Sequence, residues 1–173
     1  MALSALALSA CNSSPGETAD QAPAQTPSKG SASAVAGQQF VDTVSASDLY
    51  ETEAGELAKA NGGSRAVKDF GAMMVKDHAG STASLKTAVA ANPDLMLTPQ
   101  LTSDQQAKLD QLKQAKGAAF DDLYAAQQVG AHEEALGLLE DYATSGTDPA
   151  LREFAGKAAP TVERHLDAAR KLS

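Results

Sequence analysis

Four stretches of this chain repeat their apolar residues every three to four positions, and residues that stop helices separate them. That period commits the chain to helices. Phe40, Val44, Ser47, Glu51, Ala54 and Ala58 mark the first stripe, and Asn61-Gly62-Gly63 supplies residues that tolerate the left-handed conformation ending it. Ser64 can cap a second helix, striped by Val67, Gly71, Met74, His78, Ser81, Leu85 and Ala88 and ended by Asn92-Pro93. Thr102 with Gln105 forms a capping box, after which the pattern runs on to Ser145-Gly146. Unbroken, that run would be about 65 Å long at 1.5 Å per residue, well beyond its neighbours. A break near Gly117 is therefore expected, giving a short helix over 102–116 and a long one over 118–145, striped by Phe120, Tyr124, Gln128, His132, Ala135, Leu139 and Tyr142. Asp148 and Pro149 suit the cap and first turn of a last helix, with stripe Leu151, Phe154, Ala158, Val162, His165, Ala169 and Leu172. Pro160 lies inside it and predicts a kink before His165.

The expected fold class is all-α, an up-down four-helix bundle over 38–173 with an extra short helix ahead of the third long one. Composition agrees, since apolar residues make up 43% of the chain but aromatics only 4%, with no Trp, and alanine favours close helix packing. The net charge of -8 repels phosphate backbones, so no nucleic-acid partner is expected. The single cysteine, Cys11, excludes an intrachain disulfide.

Residues 1–11, MALSALALSAC, form an apolar run that ends in small residues at a cysteine. Leu8-Ser9-Ala10-Cys11 resembles the lipobox of bacterial lipoproteins, which implies a signal peptide and lipidation of Cys11. Asn12 and Ser13, standing where an Asp often signals inner-membrane retention, point toward the outer membrane. Residues 12–37, rich in Ser, Pro, Ala, Gln, Thr and Gly, read as a disordered linker. The expectation is a periplasm-facing domain held to a membrane through Cys11.

The chain has three histidines, His78, His132 and His165, and each falls on the apolar stripe of a different helix. Glu51 lies on the stripe of the remaining one. Counting 1.5 Å per residue from the turns places the histidines within about one helical turn of a common level, with Glu51 the poorest fit. Three neutral imidazoles and a carboxylate suit a single transition-metal ion such as Zn, Cu or Fe. A buried hydrogen-bonded network of Glu51, His78, His132 and Tyr124 or Tyr142 accounts for the same pattern without an ion. His132-Glu133-Glu134 lacks the second histidine of a zincin helix and reads as a solvated acidic face, and Met73 and Met74 read as packing. No phosphate loop, nucleophile elbow or dinucleotide turn is present, which leaves enzymatic chemistry without a signature.

Taken together, Tyr50-Glu51-Thr52-Glu53, Met73-Met74-Val75-Lys76-Asp77-His78, Phe120-Asp121-Asp122-Leu123-Tyr124, His132, and Pro160 followed by His165 resemble the DUF4142 family of bacterial envelope proteins. The resemblance covers residues 38–172 and implies a ferritin-like bundle with Glu51, His78, His132 and His165 as shared positions. It implies no activity. The usual ferritin-like di-metal site draws on Glu-x-x-His pairs, but Val75 and Val162 stand three residues before His78 and His165, so a di-iron site is not expected. Two functional readings follow, a metal-binding envelope protein and a non-catalytic structural or interaction module with a protein partner in the envelope.

Overall fold

The computed structural model describes residues 29–172, with side chains from Ala36 onward. It contains five helices: α1 (Lys29–Asn61), α2 (Arg65–Val89), α3 (Ser103–Gln114), α4 (Gly117–Ser145) and α5 (Pro149–Ala169). The expected signal peptide with Cys11 lies outside the described residues, as does the expected linker up to residue 28. α1 begins within the remaining linker stretch, nine residues ahead of the expected domain start. No proline follows Pro27 there, and the Ala-rich run Ala32–Ala36 favours helix.

The stop signals act where the sequence placed them. The Ser64 hydroxyl accepts from the Val67 amide, and Thr102 and Gln105 exchange both bonds of the capping box. The Asp148 carboxylate accepts from the amides of Ala150 and Leu151, ahead of Pro149 in the first turn. Gly117 takes φ of +60°, a conformation open to glycine at little cost, and this separates α3 from α4. α5 remains continuous through Pro160.

α1 packs along α2 and α4 along α5, and the two hairpins close into a bundle through α2 with α5 and α1 with α4. Packed neighbours among the four long helices are antiparallel. Along the chain, however, α2 and α4 run the same way, because residues 90–116 carry the chain back along the bundle. Gly62 bridges to Gly117 and the Asp121 carboxylate accepts from the amides of Gly63 and Ser64, which joins the first turn to the start of α4. At the opposite end Asn92 donates to Asp148, and the Gln38 amide both donates to and accepts from the Met96 backbone.

The α1/α2 seam is close because it lacks side chains. A Cβ on Gly71 would lie 2.7 Å from both the Ala58 Cβ and the Gly55 carbonyl oxygen. Neither obstacle can swing aside, so Gly71→Ala should destabilise the protein by about 1–3 kcal/mol through overpacking, despite alanine's better helix propensity. Urea unfolding checks this; a variant as stable as the parent would show that the seam can part freely.

Two apolar cores occupy the two ends. Near the first turn, Tyr50, Ala54, Ala58, Val67, Met74, Leu109, Leu112, Phe120 and Tyr124 are almost wholly buried, with α3 closing over α1 and α4. Toward the other end Phe40, Val44, Leu85, Leu139, Leu151, Phe154 and Val162 form the second core, with the Phe40 ring stacked on Tyr142 at 3.9 Å. Asp48, Glu51, His78, Gln128, His132 and His165 are buried between them. Burying this many polar groups in a chain with an otherwise apolar interior is costly unless partners meet them.

Candidate metal centre

Each histidine reaches the polar layer from a different helix, His78 and His132 from near the middle of α2 and α4 and His165 from near the end of α5. The rings meet as a triangle, with centroids 5.9 Å apart for His78 and His132, 5.7 Å for His78 and His165, and 5.5 Å for His132 and His165. One ligand nitrogen from each lies within 4.8 Å of the others. Phe70 stands edge-on to His132 at 6.4 Å and bounds the triangle on the side of the first turn.

The two nitrogens of each ring have different fates. His78 Nδ1 meets Asp48 Oδ1 at 2.8 Å, His132 Nδ1 donates to the Gln128 carbonyl at 2.8 Å, and His165 Nε2 meets Asp77 Oδ2 at 3.1 Å. The other nitrogens, His78 Nε2, His132 Nε2 and His165 Nδ1, are buried and make no hydrogen bond among the described residues. A metal-bound imidazole is oriented in this way, one nitrogen on a carboxylate or carbonyl and the other left to the ion. A buried nitrogen with no partner costs about 1–3 kcal/mol, so three together need a common explanation.

The outer bonds follow from the packing. Asp48 precedes Asn61 by as many residues as His78 follows Arg65, and the glycine seam brings the two helices close enough for direct contact. Thr82, one turn beyond His78, donates to the second Asp48 oxygen at 3.0 Å. Asp77 lies about 100° around α2 from His78, as its sequence neighbour must, and so points at α5. Its side chain is 32% exposed, and that of His165 is 5% exposed.

All three histidines predicted for the site therefore converge. The first turn and the α4/α5 turn lie at opposite ends of the bundle, and His78 and His132 still share a level because both lie near the midpoints of their helices. Glu51 is fully buried in the same layer, but its oxygen is 3.9 Å from His132 Nδ1, the nitrogen already held by Gln128. The groups whose ligand atoms converge are the three histidines. The sequence reading missed Asp48 and the outward role of the Gln128 carbonyl. Asp48 had a visible signal, an acidic residue one turn from Glu51 on an inward-facing arc, while a backbone carbonyl leaves none. Tyr124, proposed for a closed polar network, has an unpartnered buried hydroxyl. Tyr142 is stacked on Phe40 in the far core. Met74 is wholly buried packing, and Glu133 is solvated and paired with Arg170.

Burial dominates the electrostatics. It lowers His132 to about 3, with His78 and His165 adding repulsion, so this ring is neutral. Burial likewise lowers His165, against the pull of Asp77. Burial acts in the same sense on His78, but the Asp48 and Glu51 carboxylates outweigh it and its imidazolium is held above the usual histidine range. An ion at His78 Nε2 must displace that proton. Glu51 is pushed up to about 7, chiefly by burial and against the nearby His78 cation and Gln128 amide. That amide lies near, yet neither it nor either Glu51 oxygen completes a hydrogen bond of ordinary geometry.

The Glu51 shift has a stability consequence. Its acid form is favoured in the folded protein, so Glu51's own contribution to metal-free stability is greatest below the ordinary value of 4.5 and is lost as pH rises through about 7. Glu51→Gln removes this titration. In chelator the variant should match the parent near pH 4.5 and gain on it by on the order of 3 kcal/mol by pH 8, at about 1.4 kcal/mol per pKa unit. Parallel stability curves across that window would show that Glu51 is ionised in the folded state throughout.

Three neutral-capable imidazoles could hold one ion. An ion central to nitrogens 4.8 Å apart would lie about 2.8 Å from each, against about 2.0–2.1 Å for a Zn–N bond, so each ring closes by under about 1 Å. No carboxylate bridges the rings; Asp48 and Asp77 hold outer nitrogens instead.

Fold and site together define an all-α bundle with a buried three-histidine centre. The chain belongs to the family described as DUF4142, a domain of unknown function, whose model matches residues 21–172. No curated protein and no solved structure matches it.

Proposed function

We propose that this protein binds a single divalent transition-metal ion through His78 Nε2, His132 Nε2 and His165 Nδ1, and that binding or sensing that ion is its biochemical role. One observation carries this reading: the three rings converge to within 4.8 Å, one nitrogen of each is fixed, and the other is buried without a partner. A self-contained polar network would have used the inner nitrogens. Imidazole donors with no thiolate suit Zn, Cu, Ni or Fe. Protein purified without chelator and analysed for elements should carry close to one equivalent of such a metal. Replacing all three histidines should abolish it; metal retained by the triple variant would end the proposal.

The same reading places the bundle on a membrane surface by lipidation of Cys11, on the strength of Leu8-Ser9-Ala10-Cys11. Labelled palmitate supplied to a bacterial host should enter the protein and be lost with Cys11→Ala, which should also move the protein from the membrane to the soluble fraction. Incorporation unaffected by that substitution would remove the anchor. Among the described residues Met96 is the exposed large apolar side chain, and alone it makes no docking patch, which favours the metal reading over an interaction module.

A further inference from the structure

Two of the three histidines, His78 and His165, line a cavity of about 830 Å³ that runs from them into the second apolar core. Pockets of this size, mostly apolar with a few convergent polar groups, are the usual form of small-molecule sites. The two cores differ in a way that follows from it. Residues of the core near the first turn are largely sealed, whereas Val44, Ala88, Leu139, Phe154 and Val162, all on the cavity wall, keep 4–9% exposure. The second core is packed around a space.

The wall is ordered by level. Ser47 precedes Asp48, Ser81 is one turn beyond His78, and Thr161 is one turn before His165, so three hydroxyls from α1, α2 and α5 line the cavity next to the triad. Ser47 and Ser81 make no hydrogen bond among the described residues. Thr161 Oγ1 accepts from Arg164, which leaves its own proton free to donate. Beyond them the apolar wall is Val44, Ala88, Leu139, Phe154 and Ala158, and the cavity's exposed edge carries the ion pairs Asp104–Lys108 and Glu153–Lys157 together with Glu134. Three protein nitrogens leave a tetrahedral ion one position short, the arrangement of metal centres that exchange a ligand. Glu51 stands behind the His132 ring, on the side of Nδ1.

We propose that the ion's fourth position opens onto this cavity and takes the carboxylate of an acyl-chain acid. One carboxylate oxygen binds the metal, the hydroxyls of Ser47, Ser81 and Thr161 donate to the other, and the chain lies along the apolar wall. This rests on the metal reading above and goes beyond it by naming what the centre receives.

The full chain loaded with Co²⁺ tests it, because the ion's visible absorption reports its coordination. Titration with acetate and with octanoate compares one head group with and without a tail. Octanoate should change the spectrum at a concentration about 60-fold lower than acetate, the worth of burying three of its extra methylenes at roughly a factor of four each. Ala158→Phe, which fills the apolar part of the cavity, should keep the Co²⁺ and its starting spectrum but bring octanoate to within about 3-fold of acetate. Ala135→Leu, on the α4 part of the wall, should narrow the advantage less. A spectrum moved by neither acid, or by both at equal concentration, overturns the acyl-acid site and leaves the metal site standing. Failure of the parent protein to take up Co²⁺ at the triad overturns both.

Discussion

A His132→Leu protein should lose its stoichiometric metal and keep its fold. His132 is the ring to replace because its outer partner is the Gln128 carbonyl, which already lies on the helical ladder of α4, so leucine strands no side chain. The substitution also deletes an unpartnered buried nitrogen. Metal-free stability should therefore stay within about 1 kcal/mol of the parent, since the volume is roughly conserved and the lost bond to Gln128 is offset by removal of the stranded nitrogen. The difference should appear when metal is added. At a hundredfold excess over its dissociation constant the ion stabilises the parent by about 2.7 kcal/mol. For a domain of this size that is a rise in Tm of about 5–10 °C, which the variant should lack. Thermal melts with and without Zn²⁺ settle the matter, and a variant that still gains the full rise would place the ion elsewhere.

Asp48→Ala should have the opposite profile, with the damage falling on the fold. Asp48 is 3% exposed, it holds His78 Nδ1 at 2.8 Å, and it accepts from Thr82 at 3.0 Å. Truncating it leaves the raised His78 imidazolium buried without its counter-charge, and loss of one partner from a buried pair costs about 3–5 kcal/mol. Metal affinity should fall as well, by about 10–100-fold, because the ring loses the bond that orients it. Urea unfolding in chelator measures the first effect and a competitive chelator titration the second. Asp48→Asn can still hold Nδ1 through its amide oxygen, so it should recover a large part of the affinity. Equal stability for Asp48→Ala and the parent would show that the ring is held by packing alone.

The glycine seam connects these two results. Gly55, Ala58 and Gly71 let α1 and α2 approach without intervening side chains, and that approach puts the Asp48 carboxylate on an imidazole of the next helix. The outer bond to His165 comes from Asp77 on α2, partly in water. One ring is thus fixed by a buried carboxylate, one by backbone and one by a half-exposed carboxylate. The buried Asp48 should be the hardest of the three to replace.

Much of the bundle was legible in the chain because its signals are local. Period, caps and breakers are read by residues within about four positions of each other, so Ser64, Thr102, Gly117 and Asp148 fixed helix ends without reference to the rest of the fold. Helical phase likewise turned His78, His132 and His165 indoors, and the stripes that carry them are the buried faces. The start of α1 was harder to read, since Ala, Ser and Gly serve a linker or a helix equally well. What the chain alone left open was which groups would meet across helices. Asp48 rather than Glu51 holds His78 because of how closely α1 and α2 approach, and Glu51 ends beside the outer nitrogen of His132 because α3 returns the chain and sets α4 against α1. The metal-facing geometry depends on distances between elements far apart in sequence. No local rule supplies those distances; they come from the way side chains of unequal size pack the helices together.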